Sequence, residues 1–202
     1  DVAGLVASTL KMSDADFLAG KYKFSDGVGA GSIKNEGTIN TATGGQVYLI
    51  APDIENNGII TSPKGEIVLA AGHTVSLVDP KNPEIVVSLT APATQAVNVG
   101  QLVAQGGSIG IYAGLGNQAG TISADSAIID ATGNIVLKAT QRTTLAADSV
   151  TSATGDQGGS IQVLGNDIDI GANALLDASG VNDGGTILIG GDAHGANSGV
   201  PN

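Results

Sequence analysis

Short apolar runs that alternate with polar residues recur along the chain, each led by glycine: GGQVYLIA from Gly44, GEIVLAAG from Gly65, GGSIGIYAG from Gly106, GNIVLKAT from Gly133, GGSIQVLG from Gly158 and GGTILIGG from Gly184. The alternation places Val47 and Leu49, Ile109 and Ile111, Ile161 and Val163, and Ile187 and Ile189 on one face of their strands. A period of two is the mark of a half-buried strand. The glycine immediately before each strand falls at positions 45, 65, 107, 133, 159 and 185, so the last three intervals are all 26 residues. Repetition at fixed spacing is the signature of a solenoid.

Between these strands lies a second short apolar element ending in small polar residues, as in SIKNEGTINTATGG, IENNGIITSPKG, VNVGQLVAQGG, SAIIDATG and NALLDASGVNDGG. Each repeat therefore carries at least two strands joined by Gly, Asn, Asp, Ser and Thr turns. A unit this short cannot bury its apolar face alone. Stacking coils about 4.8 Å apart pairs their backbones and aligns like side chains, so six coils predict a rod roughly 30 Å long. The predicted fold is all-β, a parallel β-helix. Leucine-rich repeats have a similar period but need a Leu and Asn framework that is missing, and a β-sandwich has no reason to repeat one motif at constant spacing.

Two segments depart from the repeat. The interval from Gly65 to Gly107 is 42 residues, and its runs VSLVD and EIVVSLTAP flank PKNP, which predicts an extra-helical β-hairpin near 75–90, turning around Pro80 to Pro83. Near the start, MSDADFLAGKYKF offers Ser13 as an N-cap and Gly20 as a stop, enough for a single helical turn.

Composition narrows the chemistry. The chain has 42% hydrophobic residues but no Trp, 2 Phe and 3 Tyr, so Ile, Val, Leu and Ala must fill the core. Its 31 glycines read as turn residues. Nineteen acidic against eight basic residues give a net charge of -11, which disfavours nucleic acid and anionic membrane surfaces. Only Lys138 and Arg142 are basic after residue 100. Cysteine is absent, which removes disulfides and thiolate metal sites. No apolar run approaches the roughly 18 residues of a membrane span. The chain opens on Asp1 with no signal peptide and is expected to be a segment of a longer protein.

The order of these words is specific where the words themselves are not. GLVASTLKMSDADFLAGKYKF followed by IKNEGTINTATGGQVYLIAPDIENNGIITSPKGEIVLAAG resembles the secretion domain of filamentous-haemagglutinin-type exoproteins, exported by two-partner secretion. NPEIVVSLTAPATQAVNVGQLVAQGGSIGIYAG, with GTISADS, GNIVLKA, LLDASG and GGTILIGGD, is similar to the high-molecular-weight adhesin branch. The resemblance implies a right-handed parallel β-helix, an outer-membrane pore protein as partner, and a secreted product in the extracellular space or at a Gram-negative cell surface. It also implies a folding nucleus and stalk for an adhesin, with contact to host-cell glycans or a matrix polysaccharide through the full-length protein. That family's NPNL and NPNGI secretion motifs are absent from this chain. Three parts are expected: a cap remainder and first coil over 1–30, coils with the side hairpin over 31–106, and regular coils of about 26 residues over 107–202.

Candidate sites are few, and no cofactor is expected. His73 and His194 are about five coils apart and read as surface turn residues. Asp167, Asp169, Asp183 and Asp192 lie in neighbouring repeats and are weak candidates for a calcium site, against a reading as solvated turns. Gly190 and Gly191 match no phosphate-binding pattern. Asn35, Asn56, Asn57 and Asn98 sit near turn starts, where stacked side chains would bond along the rod. A polysaccharide-cleaving β-helix needs paired carboxylates with a base and aromatic platforms, yet Phe17, Tyr22, Phe24, Tyr48 and Tyr112 all precede residue 113. No enzymatic activity is expected. Asn-x-Ser/Thr acceptors and an Arg-Gly-Asp motif are both absent.

Overall fold

A computed structural model describes residues 2–19, 21–25, 29–77, 88–90, 94–127 and 131–190. The chain winds as a parallel β-helix whose coils have three faces rather than two. The long face stacks Val2–Ser8, residues 46–51, Glu66–Ala71, residues 108–112 and 134–138, Ser160–Leu164 and Thr186–Ile189. A second face stacks Ile33–Asn35, Asp53–Asn56, Gln95–Asn98, residues 115–118 and 142–145, and Asp167–Ile170. The third stacks residues 38–40, Ile59–Thr61, Gln101–Val103, Thr121–Ser123, Val150–Ser152 and Leu175–Asp177.

Register is the organising fact. Leu5, Val47, Ile67, Ile109, Ile135, Ile161 and Ile187 form one ladder, and Ala7, Leu49, Leu69, Ile111, Leu137, Val163 and Ile189 form the next. Ile39, Ile60, Leu102 and Ile122 line the third face. Apart from the exposed Ile187 and Ile189, these ladders meet in one continuous core. Burying each such side chain stabilises the fold by about 1.5–3 kcal/mol, and parallel stacking repeats that gain at every coil.

The strand-leading glycines have a different cause from the one their composition suggests. Gly45, Gly65, Gly107, Gly133, Gly159 and Gly185 are absent from the residues with left-handed φ. Instead, a Cβ on Gly65, Gly107, Gly159 or Gly185 would strike the carbonyl oxygen of Gly45, Gly65, Gly133 or Gly159 respectively. Close approach of successive coils, not turn geometry, demands glycine there.

The interrupting segments form a second structure on the outside of the long face. Thr74–Leu77 and Ser88–Thr90 pair antiparallel, as the hairpin reading requires, while its turn around Pro80 to Pro83 lies outside the described residues. The hairpin does not stand alone. Tyr22–Ser25 pairs with Thr74–Leu77 and with Lys11–Met12, making a four-stranded sheet. The helical turn spans Asp14–Leu18, with the Ser13 hydroxyl accepting from Asp16 N at 3.1 Å. Ala19 is its C-cap, and Gly20 lies outside the described residues.

Candidate functional site

Strands 46–51 and 66–71 read QVYLIA and EIVLAA and lack polar alternation, the pattern of strands covered on both faces. Their inward residues join the solenoid core. Their outward residues Tyr48, Ile50, Val68 and Ala70 pack with Leu10, Phe24 and Val75 of the extra-helical sheet in a second buried cluster. The extra-helical lobe is thus welded to the early coils by apolar burial.

A polar knot lies at the margin of this cluster. The Tyr48 hydroxyl donates to Glu66 Oε2 at 2.5 Å. Burial pushes the Glu66 carboxyl up, partly opposed by that hydrogen bond. Burial and the Glu66 bond push the Tyr48 phenol up in turn. Tyr112, on the next coil, is pushed up to about 12 by burial and by the Glu66 charge. At neutral pH both tyrosines therefore keep their protons, Tyr48 donating to Glu66 and Tyr112 feeling its charge.

On the second face Asn35, Asn56 and Asn98 stack and pass hydrogen bonds down the rod. Asn35 Nδ2 donates to Asn56 Oδ1 at 2.7 Å, Asn56 Nδ2 to Asn98 Oδ1 at 2.8 Å, and Asn98 Nδ2 to Gln118 Oε1 at 2.8 Å. Gln118 Nε2 ends the chain on the carbonyls of Gly120 and Val150, at 2.9 and 3.1 Å. The asparagine-ladder reading holds for three of its four residues and extends to Gln118. Asn57 is the exception: its side chain is exposed and donates to Glu55 Oε1. It follows Asn56 by one position, so the strand's alternation turns it to the opposite face.

Asp125 clips neighbouring coils. Its carboxylate accepts from the Ser152 hydroxyl, from Thr154 N at 2.7 Å, from the Ser123 hydroxyl at 2.9 Å and from the Thr154 hydroxyl at 2.9 Å. Burial pushes this carboxyl up, but the four donors outweigh it and hold it below its ordinary value.

Of the aspartates weighed for calcium, the three described ones, Asp167, Asp169 and Asp183, form no cluster of three carboxylates. Asp167 and Asp169 stand on one strand rather than in turns, and each lies 3.5 Å from the Arg142 guanidinium. Asp183 ends Gly180–Asp183, a strand paired with Gly155–Gln157 in a separate sheet. Asp192, Gly191 and His194 lie outside the described residues. Among the described residues no three His, Cys, Asp or Glu side chains gather. His73 is exposed in the short connection between Glu66–Ala71 and Thr74–Leu77. Gly190 has φ +81 with open space around its Cβ position, so it is a turn residue. Lys138, on the long face, has its ammonium pushed down by burial.

Over 98% of its length the chain is similar to the HMW1 secretion domain from Haemophilus influenzae, with a TM-score of 0.90 and 35% sequence identity. The likeness is to a secretion domain. The chain spans 54% of that crystallised chain, about half its length. It matches no family model and no curated protein. Among the described residues no helix is long and apolar enough to cross a membrane.

Sequence reasoning missed the Tyr48–Glu66–Tyr112 knot and the Asp125 clip. For the knot a signal existed, because two of only three tyrosines occupy outward strand positions beside an uninterrupted apolar run. Asp125 carried none, since three of its four donors come from residues 27 and 29 positions away.

Proposed function

We propose that the chain is a segment of the secretion domain of a two-partner-secretion exoprotein, serving as folding nucleus and stalk of a surface adhesin. The observation that carries this reading is the likeness to the HMW1 secretion domain over nearly the whole chain. On this reading the partner is an outer-membrane pore protein, and the destination is the extracellular space or a Gram-negative cell surface. Adhesion belongs to the full-length protein, and the chain performs no catalysis. Residues 1–30 supply the cap remainder and first coil, 31–106 the coils stabilised by the extra-helical sheet, and 107–202 the regular coils.

The mechanism is physical. The chain crosses the membrane unfolded, the lobe-covered coils fold first, and each completed coil offers its open strand edges as template for the next. A folded coil cannot slide back through a narrow pore, so folding biases export outward.

Ile161→Pro in the full-length protein tests the coupling. Proline removes a ladder donor from a central strand, and secretion is expected to fall severalfold at unchanged expression. Undiminished secretion would overturn the coupling between coil formation and export.

A further inference from the structure

The outer face of the extra-helical sheet has a chemistry of its own. Register places Lys11 opposite Ser25, Ser25 opposite Thr74, and Lys23 opposite Ser76. Phe24 and Val75 are buried against the long face with Met12 and Leu77 packed beside them, so the alternation of the strands turns Lys11, Lys23, Ser25, Thr74 and Ser76 outward. Lys11 and Lys23 are diagonal neighbours on adjacent strands, about 7–8 Å apart, and both are exposed. On the second face of the solenoid, by contrast, Lys34 is held by Glu36 and Glu55 and Arg142 by Asp167 and Asp169. None of the five outward side chains of the extra-helical sheet makes a hydrogen bond or ion pair among the described residues. The described carboxylates of this lobe, Asp14 and Asp16, stand on its helical turn, where Asp16 accepts from the Ser13 hydroxyl at 2.7 Å.

We propose that this lobe docks on the phosphate-bearing headgroups of an anionic membrane surface. Ammonium groups and hydroxyl donors without partners, spread across a sheet face, match a layer of phosphates. The helical turn supplies the apolar part of the contact. Asp14–Leu18 links the two lysine-bearing strands, buries none of its residues, and leaves Phe17 68% and Leu18 84% exposed. Exposed Phe and Leu beside lysines are the composition of an interfacial anchor. An acidic protein segment would engage the lysines without requiring apolar side chains next to them, which favours lipid. The net charge of -11 opposes the contact only over the distance that salt leaves unscreened, about 8 Å at physiological ionic strength, so the charge of the lobe itself governs. The choice of a membrane rests on the export reading above, by which the chain emerges at a membrane surface.

The test is flotation of the purified chain with vesicles of phosphatidylcholine, alone or mixed with phosphatidylglycerol. The chain is expected to float with the mixed vesicles, not with phosphatidylcholine alone, and to be released by high salt. A lysine close to an anionic surface strengthens partitioning roughly fivefold, so Lys11→Gln with Lys23→Gln is expected to weaken it about twentyfold. Lys34→Gln with Arg142→Gln makes the same change in net charge on the second face and is expected to leave partitioning almost unchanged. Phe17→Ser with Leu18→Ser, at side chains that support no core, is expected to weaken it severalfold. No flotation, flotation with phosphatidylcholine alone, equal losses from the two charge pairs, or no loss from the Phe17 and Leu18 change would each overturn the proposal. Release by inorganic phosphate at constant ionic strength would overturn it in favour of free phosphate, and preference for polyglutamate over vesicles in favour of an acidic protein. The measurement involves no export, so its failure leaves the secretion reading standing, and secretion of the Ile161→Pro protein bears on that reading alone.

Discussion

Gly65, Gly107, Gly159 and Gly185, each before a long-face strand, are fixed by the carbonyl stacked against them in the neighbouring coil. Two alanine substitutions separate this cause from ordinary turn preference. Gly107→Ala drives a Cβ into Gly65 O and is expected to cost about 1–3 kcal/mol, the range for forced overpacking. Gly184→Ala meets nothing within 4 Å at an ordinary φ and is expected to stay within about 0.5 kcal/mol. Urea unfolding of both variants measures the contrast, and equal losses would show that stacking distance is not the constraint. At this scale the sequence was informative about position and misleading about cause, because the spacing of glycines is visible and the neighbouring backbone is not. Asn35, Asn56 and Asn98 were legible as a ladder since identical residues recur at matching places. Gln118 was not, because a different amide continues the same chain of bonds.

Among the elements, the long-face strands were readable from their period of two, whereas the third face was not. Its strands are three residues long, such as Ile59–Thr61 and Gln101–Val103, too short to show any period. Half of the extra-helical sheet was also hidden, since Tyr22–Ser25 meets Thr74–Leu77 across some fifty residues of sequence. Beside the cluster that joins that sheet to the solenoid lies a titratable group, Glu66. Burial holds the Glu66 carboxyl above its ordinary 4.5 even though the Tyr48 bond pulls it down. The folded state therefore binds this proton more tightly than the unfolded chain. The stability it contributes is complete below about pH 4.5 and is lost as pH rises through the folded value. Glu66→Gln keeps an acceptor for Tyr48 without the charge. It is expected to raise the urea midpoint around pH 7, with the gain over the parent shrinking as pH falls below about 4.5. A gain independent of pH would mean that Glu66 ionises in the fold as it does in water.

For the whole molecule, the stability of a stacked solenoid is a sum over coils and their nearest neighbours. The described coils are not equal in this respect. Those over 46–71 are covered outside by the extra-helical sheet and flanked by coils on both sides, while among the described residues the coil over 167–189 is stacked on one side and leaves Ile170, Leu175, Ile187 and Ile189 exposed. The sequence made the stack evident through its 26-residue intervals, but the inequality depends on a lobe that only the folded chain assembles. If the covered coils are the nucleus from which later ones are templated, opening must begin far from them. Native-state hydrogen exchange read by mass spectrometry tests this most directly. The account predicts the slowest exchange in residues 47–51 and 67–71, intermediate exchange in 109–112 and 135–138, and the fastest among the long-face strands in 186–189. Uniform protection along the ladders, or greatest protection in 186–189, would contradict a nucleus beneath the extra-helical sheet.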